Sequence, residues 1–174
     1  MTGPVLVLVG PPGSGKSTVG PMLAERLGVG FADADVDLER LAGRTIADIF
    51  TTDGEPAFRA LEEKVVAAGL GEHVGVFSLG GGAVLSADTR ALLAGRVVAF
   101  LNVGMAAGVK RTGLSAARPL LAGVNPRARF KELLDARLPL YREVAIVEVA
   151  TDDISPEQVV DSIVAAVDEL REGS

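Results

Sequence analysis

The apolar run VLVLV (residues 5–9) leads directly into GPPGSGKST (residues 10–18), and this junction predicts how the chain folds. Residues 10–17 match G-x-x-x-x-G-K-S, a motif that connects a strand to a helix and holds phosphate. Its glycines let successive backbone N–H groups turn toward one anion, which side chains would block. The helix that follows adds N–H groups and the positive end of its dipole. A tight turn that is merely glycine-rich is the weaker interpretation in this context.

The lysine and hydroxyl at the end of this motif indicate a nucleoside triphosphate. In such loops the lysine, here Lys16, reaches the β- and γ-phosphates, and the next hydroxyl, here Ser17, ligates Mg²⁺. We therefore predict that residues 10–18 bind a nucleoside triphosphate together with Mg²⁺. The motif leaves the phosphoryl acceptor open.

The composition limits the classes of protein and of site. The 174 residues, 48% hydrophobic and 23% charged, are typical of one globular domain. A net charge of −6 argues against nucleic acid or an acidic membrane as a partner. The lack of cysteine and the single histidine, His73, exclude disulfides, thiolate catalysis and zinc sites built from several such ligands. The sequence begins without a signal-peptide pattern, so we expect a cytoplasmic protein.

Apolar runs alternate with helical patterns along the chain. Buried parallel strands are predicted at residues 5–9, 74–79, 97–101 and 145–149, with a weaker one at residues 30–34. Helices are predicted at residues 18–27, around residues 58–66, from an Asp88 cap to Gly95, and after a capping box at residues 155–158. Repeated βα units predict an α/β fold with a parallel sheet and helices on both faces. In residues 112–125 the apolar residues follow neither a helical nor a strand period, which is typical of functional or disordered loops.

Two aspartates follow the weaker strand, in FADADVD (residues 31–37). Alternate residues of an extended segment point to the same side, so Asp33 and Asp35 are expected to flank the phosphate loop together. One carboxylate would steady the Mg²⁺ shell, and the other would orient and deprotonate an acceptor hydroxyl. A solvated turn, or a cap for a helix from Val36, explains the same residues equally well.

The strand at residues 74–79 ends in LGGG (residues 79–82). Open α/β sheets bind ligands at the carboxyl ends of their strands, which is where these glycines fall. Bare backbone there would let a substrate approach closely. A flexible turn into the next helix is the alternative.

Arg137 is the arginine whose position suggests a buried site. It lies in register with Phe130, Leu134 and Tyr141, on the apolar face of a predicted helix. A guanidinium on that face keeps its charge and needs an anionic partner. Pro139 is expected to kink or end this helix.

Two further arginines allow two interpretations each. Arg59 lies beside an apolar stripe, and pairing with Glu62 and Glu63 along the helix surface is the favoured interpretation. Arg118, in the aperiodic segment, is either a solvated loop residue or a lid arginine that closes on the transferring phosphate.

Taken together, these residues resemble the shikimate kinases, those of actinobacteria in particular. The resemblance runs from residue 5 to about residue 170 and combines GPPGSGKST, the two aspartates, IADIFTTDGEPAFRALEE, SLGGGAV, RPLL (residues 118–121) and RLPLYREVA (residues 137–145). It implies a three-layer P-loop NTPase fold like that of nucleoside monophosphate kinases, with a five-stranded parallel sheet flanked by helices. It also implies a single domain over residues 1–174, with a substrate-binding region at about 34–62 and a lid at about 113–125.

The resemblance implies transfer of the γ-phosphoryl group of ATP to the 3-hydroxyl of shikimate, giving shikimate 3-phosphate and ADP for chorismate and aromatic amino-acid biosynthesis. The implied catalytic residues are Lys16, Asp35 and Arg118. The implied ATP-binding residues are Gly13, Ser14, Gly15, Lys16, Ser17, Thr18, Arg111, Arg118 and Pro156. Shikimate would be bound by Asp35, Arg59, Gly80, Gly81, Gly82 and Arg137. Mg²⁺ would be bound by Ser17 and Asp33.

One position departs from the family, and three rival functions remain. Ile154 stands two residues before Pro156, where members of the family often carry an arginine that contacts ATP, so that contact is not carried over. The rivals are a gluconate-type kinase, a nucleoside monophosphate kinase and a nucleotide-dependent switch without transfer chemistry. We expect a monomer that binds ATP and shikimate, and neither nucleic acid nor membrane.

Overall fold

Five parallel strands and seven α-helices alternate along the part of the chain that the structure describes. The structure is a computed structural model, and it describes residues 3–104, 107 and 126–173. The strands are β1 (Leu6–Val9), β2 (Phe31–Asp33), β3 (Val76–Ser78), β4 (Val98–Asn102) and β5 (Val147–Ala150). The helices are α1 (Lys16–Leu27), α2 (Ala34–Ala42), α3 (Ile46–Asp53), α4 (Glu55–Glu72), α5 (Ala87–Leu93), α6 (Pro126–Val144) and α7 (Pro156–Glu172). A 3₁₀ turn (Ala83–Leu85) precedes α5.

The strands form one sheet with the order β2-β3-β1-β4-β5, and every pairing is parallel. β1 lies at the centre, where Leu6 aligns with Val76 of β3 and Val7 aligns with Val98 of β4. The predicted five-stranded parallel sheet is confirmed, although each strand differs from its apolar run by one or two residues at an end. The carboxyl ends of β1, β2 and β3 meet at one edge, so the segments that follow them lie side by side.

Alternate residues of β1 divide the core between the two faces of the sheet. Leu6 and Leu8 belong to the cluster that packs against α1 and α7, with Leu23 and Ile163 among its fully buried members. Val7 and Val9 belong to the opposite cluster, which packs against α2 to α6. This period of two places helices on both faces, and the predicted three-layer arrangement is confirmed.

Helix boundaries agree with the predicted signals at some ends and differ at others. The capping box at the start of α7 is confirmed, with Ser155 as the N-cap and Gln158 as its partner. The predicted cap of α5 is wrong, because Ser86 caps that helix and Asp88 lies within its first turn. α6 does not end at Pro139, since it continues to Val144, and the alternative expectation of a kink stays a prediction. Among the described helices, none is long and apolar enough to cross a membrane.

Candidate active site

The phosphate loop joins β1 to α1 as its sequence predicts. Gly13 and Gly15 have φ values of +80° and +97°, which lie in the left-handed region that favours glycine. Gly15 is the N-cap of α1, and it has no side chain that could occupy the first-turn N–H groups. The Lys16 Nζ donates to the carbonyl oxygens of Gly10, at 2.5 Å, and Pro11, at 3.1 Å. The loop therefore holds its lysine against its own backbone, at the positive end of the helix.

Asp33 and Asp35 reach the phosphate loop by a different backbone path from the predicted one. β2 ends at Asp33 and α2 begins at Ala34, so Asp35 lies in the first turn of a helix. Asp33 caps that helix, because its Oδ1 accepts a hydrogen bond from the Asp35 backbone N–H at 2.8 Å. The extended alternation expected for these residues is therefore wrong. Both side chains nevertheless line one cleft of about 350 Å³ with Lys16 and Ser17.

The electrostatics of this cleft favour a basic Asp35 carboxylate. The Asp35 pKa is raised from its ordinary value of 3.8 to about 6, mainly by burial and further by the negative charges of Asp33 and Glu62. Lys16 lowers the Asp35 pKa and so opposes part of this effect. A carboxylate of this basicity is suited to accept a proton from a hydroxyl near neutral pH.

Charged side chains lie close to the glycines at residues 80–82, and they leave no room for a side chain at Gly80 and Gly82. A Cβ at Gly80 would lie 2.8 Å from Asp35 Oδ1 and 3.0 Å from Glu62 Oε2. A Cβ at Gly81 would lie 3.5 Å from Arg137 Nη1, and one at Gly82 would clash with the Arg59 guanidinium. The bare loop is therefore the point where side chains of α2, α4 and α6 meet.

Arg59 pairs with carboxylates of its own helix, as its spacing predicts in part. Its Nη1 lies 2.8 Å from Glu62 Oε1, and its Nε lies 3.2 Å from Glu55 Oε2. Glu62 is a predicted partner, whereas Glu55 replaces the expected Glu63. The pair is not a surface pair, because Glu62 is only 5% exposed. Burial raises the Glu62 pKa, and Arg59 and Arg137 lower it in opposition.

Glu62 is the site residue that the sequence analysis missed. It follows Phe58 by four residues and precedes Val65 by three, and both of those residues are buried. The same spacing places Glu62 on the buried stripe of α4, so the signal was present in the sequence.

Arg137 lies on the buried face of α6, where its register predicts it. The residue is 3% exposed, and its positive charge lowers the pKa of the Tyr141 phenol, in opposition to the burial that raises it. Within the described ranges no aspartate or glutamate forms an ion pair with Arg137. A buried guanidinium without a carboxylate partner is a site that can bind the carboxylate of a ligand.

The structure brings most of the predicted site residues to one edge of the sheet. The 350 Å³ cleft is lined by Gly13, Ser14, Gly15, Lys16, Ser17, Thr18, Asp33, Asp35, Gly80 and Gly81, with Pro12, Ser78 and Leu79. Arg59, Glu62 and Gly82 line a second pocket of about 330 Å³ with Glu55 and four further residues.

Four remaining predictions concern the expected lid and the nucleotide-base side. Arg111, Arg118 and the lid at residues 113–125 lie outside the described residues. Pro156 begins α7, and it does not line the 350 Å³ cleft among the residues described. Ile154 packs against the cluster beneath α1 and α7. Contacts of Arg111, Arg118 and Pro156 with ATP stay predictions.

The chain is similar to one protein family and to several curated sequences and solved structures. The family described as "Shikimate kinase" matches residues 12–168. A shikimate kinase of Saccharopolyspora erythraea is 68% identical over 164 residues, which cover 94% of each chain. One of Streptomyces coelicolor is 56% identical over 172 residues, which cover 99% of each chain.

A solved structure agrees in fold as well as in sequence. The shikimate kinase from Acinetobacter baumannii in complex with shikimate is 36% identical and superposes with a TM-score of 0.91, covering 96% of this chain and 93% of that chain. The chain thus has the fold of a known kinase. The chain is a member of the shikimate kinase family.

Proposed function

We propose that this enzyme phosphorylates shikimate with ATP, transferring the γ-phosphoryl group to the 3-hydroxyl and releasing ADP. The product, shikimate 3-phosphate, serves chorismate and aromatic amino-acid biosynthesis. One observation carries the proposal. The basic Asp35 carboxylate and the buried Arg137 guanidinium meet at residues 80–82, directly beside the phosphate loop. That arrangement suits an acceptor with both a hydroxyl and a carboxylate.

On the nucleotide side, the loop amides and Lys16 bind the phosphates of ATP. The backbone of Gly13, Ser14, Gly15, Ser17 and Thr18 surrounds the phosphates at the start of α1, which the helix dipole favours. Lys16 exchanges its contacts with the Gly10 and Pro11 carbonyls for phosphate oxygens. Arg111 and Pro156 contact the adenine side.

The residues of the cleft fit Mg²⁺ held mainly by phosphate oxygens. Proteins bind this ion through one or two carboxylates plus substrate phosphates and water, rather than through a complete protein cage. The described residues contain no group of three or more acidic or histidine side chains placed to hold a metal ion, which fits that mode. The Ser17 hydroxyl and the Asp33 carboxylate are the oxygens that would hold it. When bound, Mg²⁺ supplies positive charge against the β- and γ-phosphate oxygens.

On the acceptor side, arginines fix the carboxylate and Asp35 acts on the hydroxyl. Arg137 binds the shikimate carboxylate because the guanidinium is buried and, among the residues described, has no aspartate or glutamate oxygen within 4.0 Å. Arg59 adds a second contact from α4, across Gly82. The 3-hydroxyl oxygen attacks the γ-phosphorus, the bond from that phosphorus to the ADP oxygen breaks, and the hydroxyl proton passes to Asp35.

Arg118 completes the proposed mechanism from the lid at residues 113–125. Its guanidinium would neutralise charge on the transferring phosphoryl group, as arginines do in phosphoryl transfer. Residues 34–62 would form the acceptor-binding region of a single domain over residues 1–174. The expected monomer and the cytoplasmic location stay predictions.

The test is ADP release from ATP·Mg²⁺ with shikimate, with gluconate, with AMP and with no acceptor. Strong turnover with shikimate alone supports the proposal. Turnover with gluconate or AMP alone keeps a kinase and discards the acceptor proposed here. Nucleotide binding without acceptor-dependent turnover returns the chain to the switch class.

A further inference from the structure

Tyr141, the only tyrosine of the chain, connects α6 to the glycine loop at residues 80–82. Its side chain is fully buried, and its hydroxyl donates a hydrogen bond to the Gly81 carbonyl oxygen at 2.5 Å. The ring stacks on Phe100 of β4, with the centroids 4.9 Å apart and the planes 25° apart. The phenol is therefore fixed by a strand next to the centre of the sheet and aimed at the loop.

The Gly81 carbonyl is anchored differently from its two neighbours. The Gly80 carbonyl accepts from the Ala83 N–H, and the Gly82 carbonyl accepts from the Leu85 N–H, both within the following 3₁₀ turn. The Gly81 carbonyl accepts instead from a side chain 60 residues away in sequence. Three successive glycines have large conformational freedom, so an external anchor reduces the number of conformations this loop can adopt.

The same phenol also lies near the arginine proposed to bind the acceptor. Tyr141 follows Arg137 by four residues on α6, so the two side chains lie on one face of the helix. The phenol O–H donates to Gly81, and a Cβ at Gly81 would lie 3.5 Å from Arg137 Nη1, so the phenol and the guanidinium meet at the same residue of the loop. Burial raises the Tyr141 pKa to about 12, so the hydroxyl keeps its proton and remains a donor at neutral pH.

We propose that Tyr141 is a positioning residue that holds the Gly81 backbone and the Arg137 guanidinium in the positions required for acceptor binding. The proposal rests on the function proposed above. It assigns no contact between Tyr141 and the reacting atoms. The effect of Tyr141 on turnover passes through the glycine loop and Arg137, on the acceptor side of the cleft. ATP binding depends on the other wall, at residues 13–18.

The test is Tyr141→Phe, which keeps the ring on Phe100 and removes one oxygen. We expect the KM for shikimate to rise about 10-fold, because the buried Gly81 carbonyl loses its partner and the loop beside Arg137 is no longer held in place. The KM for ATP and kcat should change by less than about 3-fold. Val144→Ala is the matched control, since Val144 is buried on the same helix and lines a cavity with α5 and residues 94–97. The control should lower the melting temperature and leave both KM values unchanged.

Amide hydrogen exchange over residues 79–86 provides a second measurement that needs no substrate. We expect faster exchange at the Ala83 and Leu85 N–H groups in Tyr141→Phe and not in Val144→Ala. Suppose that wild type turns over shikimate. If Tyr141→Phe then has an unchanged KM for shikimate, or raises the KM values for shikimate and ATP equally, this inference fails while the proposed function stands. If wild type does not turn over shikimate, the proposed function fails, and unchanged exchange in Tyr141→Phe then overturns the loop anchor as well.

Discussion

Replacing Asp35 with asparagine should stabilise the folded protein while removing the proposed base. The Asp35 pKa rises from 3.8 in an unfolded chain to about 6 in the folded protein. Each pKa unit corresponds to about 1.4 kcal/mol, so the ionised carboxylate is about 3 kcal/mol less stable in the folded state than in the unfolded state. The substituted amide carries no charge to bury, and we expect Asp35→Asn to gain about 2–3 kcal/mol at pH 8.

The sign of the pH dependence follows from the direction of the pKa shift. Below about pH 4 the Asp35 carboxyl is protonated in both states, so its ionisation costs no stability there. Between about pH 4 and pH 6 the unfolded state loses its proton first, and wild type loses stability as the pH rises. The advantage of Asp35→Asn should therefore be near zero at about pH 4 and reach its full value above about pH 7.

Urea unfolding of both proteins from about pH 4.5 to about pH 8 measures this difference, and thermal melts at pH 8 should show a gain of about 5–10 °C. Asp88→Asn is the matched control, because Asp88 is also the second residue of its helix and is exposed. The control should lose a few tenths of a kcal/mol, since a carboxylate in the first turn interacts favourably with the helix dipole. An Asp35→Asn protein no more stable than wild type at pH 8, or one with a gain independent of pH, would refute the reasoning.

Three further substitutions test the other parts of the site. Arg137→Ala should raise the shikimate KM about 100-fold, because a desolvated charge pair with the substrate carboxylate is lost. Arg142→Ala on the same helix should leave the shikimate KM unchanged. An unchanged shikimate KM in Arg137→Ala would contradict the proposed binding of the carboxylate by Arg137. Gly82→Ala should displace Arg59 and raise the shikimate KM about 10-fold or more. Its control, Gly71→Ala, lies in open space on the helix that carries Arg59 and should leave the shikimate KM unchanged. Equal KM values for the two variants would contradict the close approach of Arg59 to Gly82. Arg118→Ala should lower kcat about 100-fold or more with little change in ATP affinity, and near-normal turnover would exclude Arg118 from the mechanism.

Periodic patterns predicted the parts of the fold that packing determines. The apolar runs marked all five strands because a parallel sheet is buried on both faces. The register of Arg137 with Phe130 and Tyr141 predicted its burial, since residues spaced by whole helical turns share one face. All three are at most 3% exposed.

Local rules failed where tertiary contacts overrode them. Pro139 does not break α6, because Tyr141 and Val144 beyond it are buried and this packing outweighs the missing hydrogen bond. Asp35 lies in a helix instead of an extended segment, because Asp33 at the end of β2 caps a helix that begins at Ala34. Glu62 is buried where Arg59 of the same helix and Arg137 of α6 both act on it. The rule for ion pairs along one helix predicts the contact with Arg59 and says nothing about Arg137.

The central position of β1 has a consequence for how the protein is made. β1 and the phosphate loop are synthesised before the other four strands, yet their sheet neighbours are Val76–Ser78 and Val98–Asn102, much later in the chain. Parallel strands far apart in sequence pair slowly, and an emerging chain holds its strand edges unpaired until the partners arrive. The loop therefore cannot be fixed before about residue 102 has left the ribosome. ATP begins to stabilise the nascent chain only then, after more than half of it has been translated.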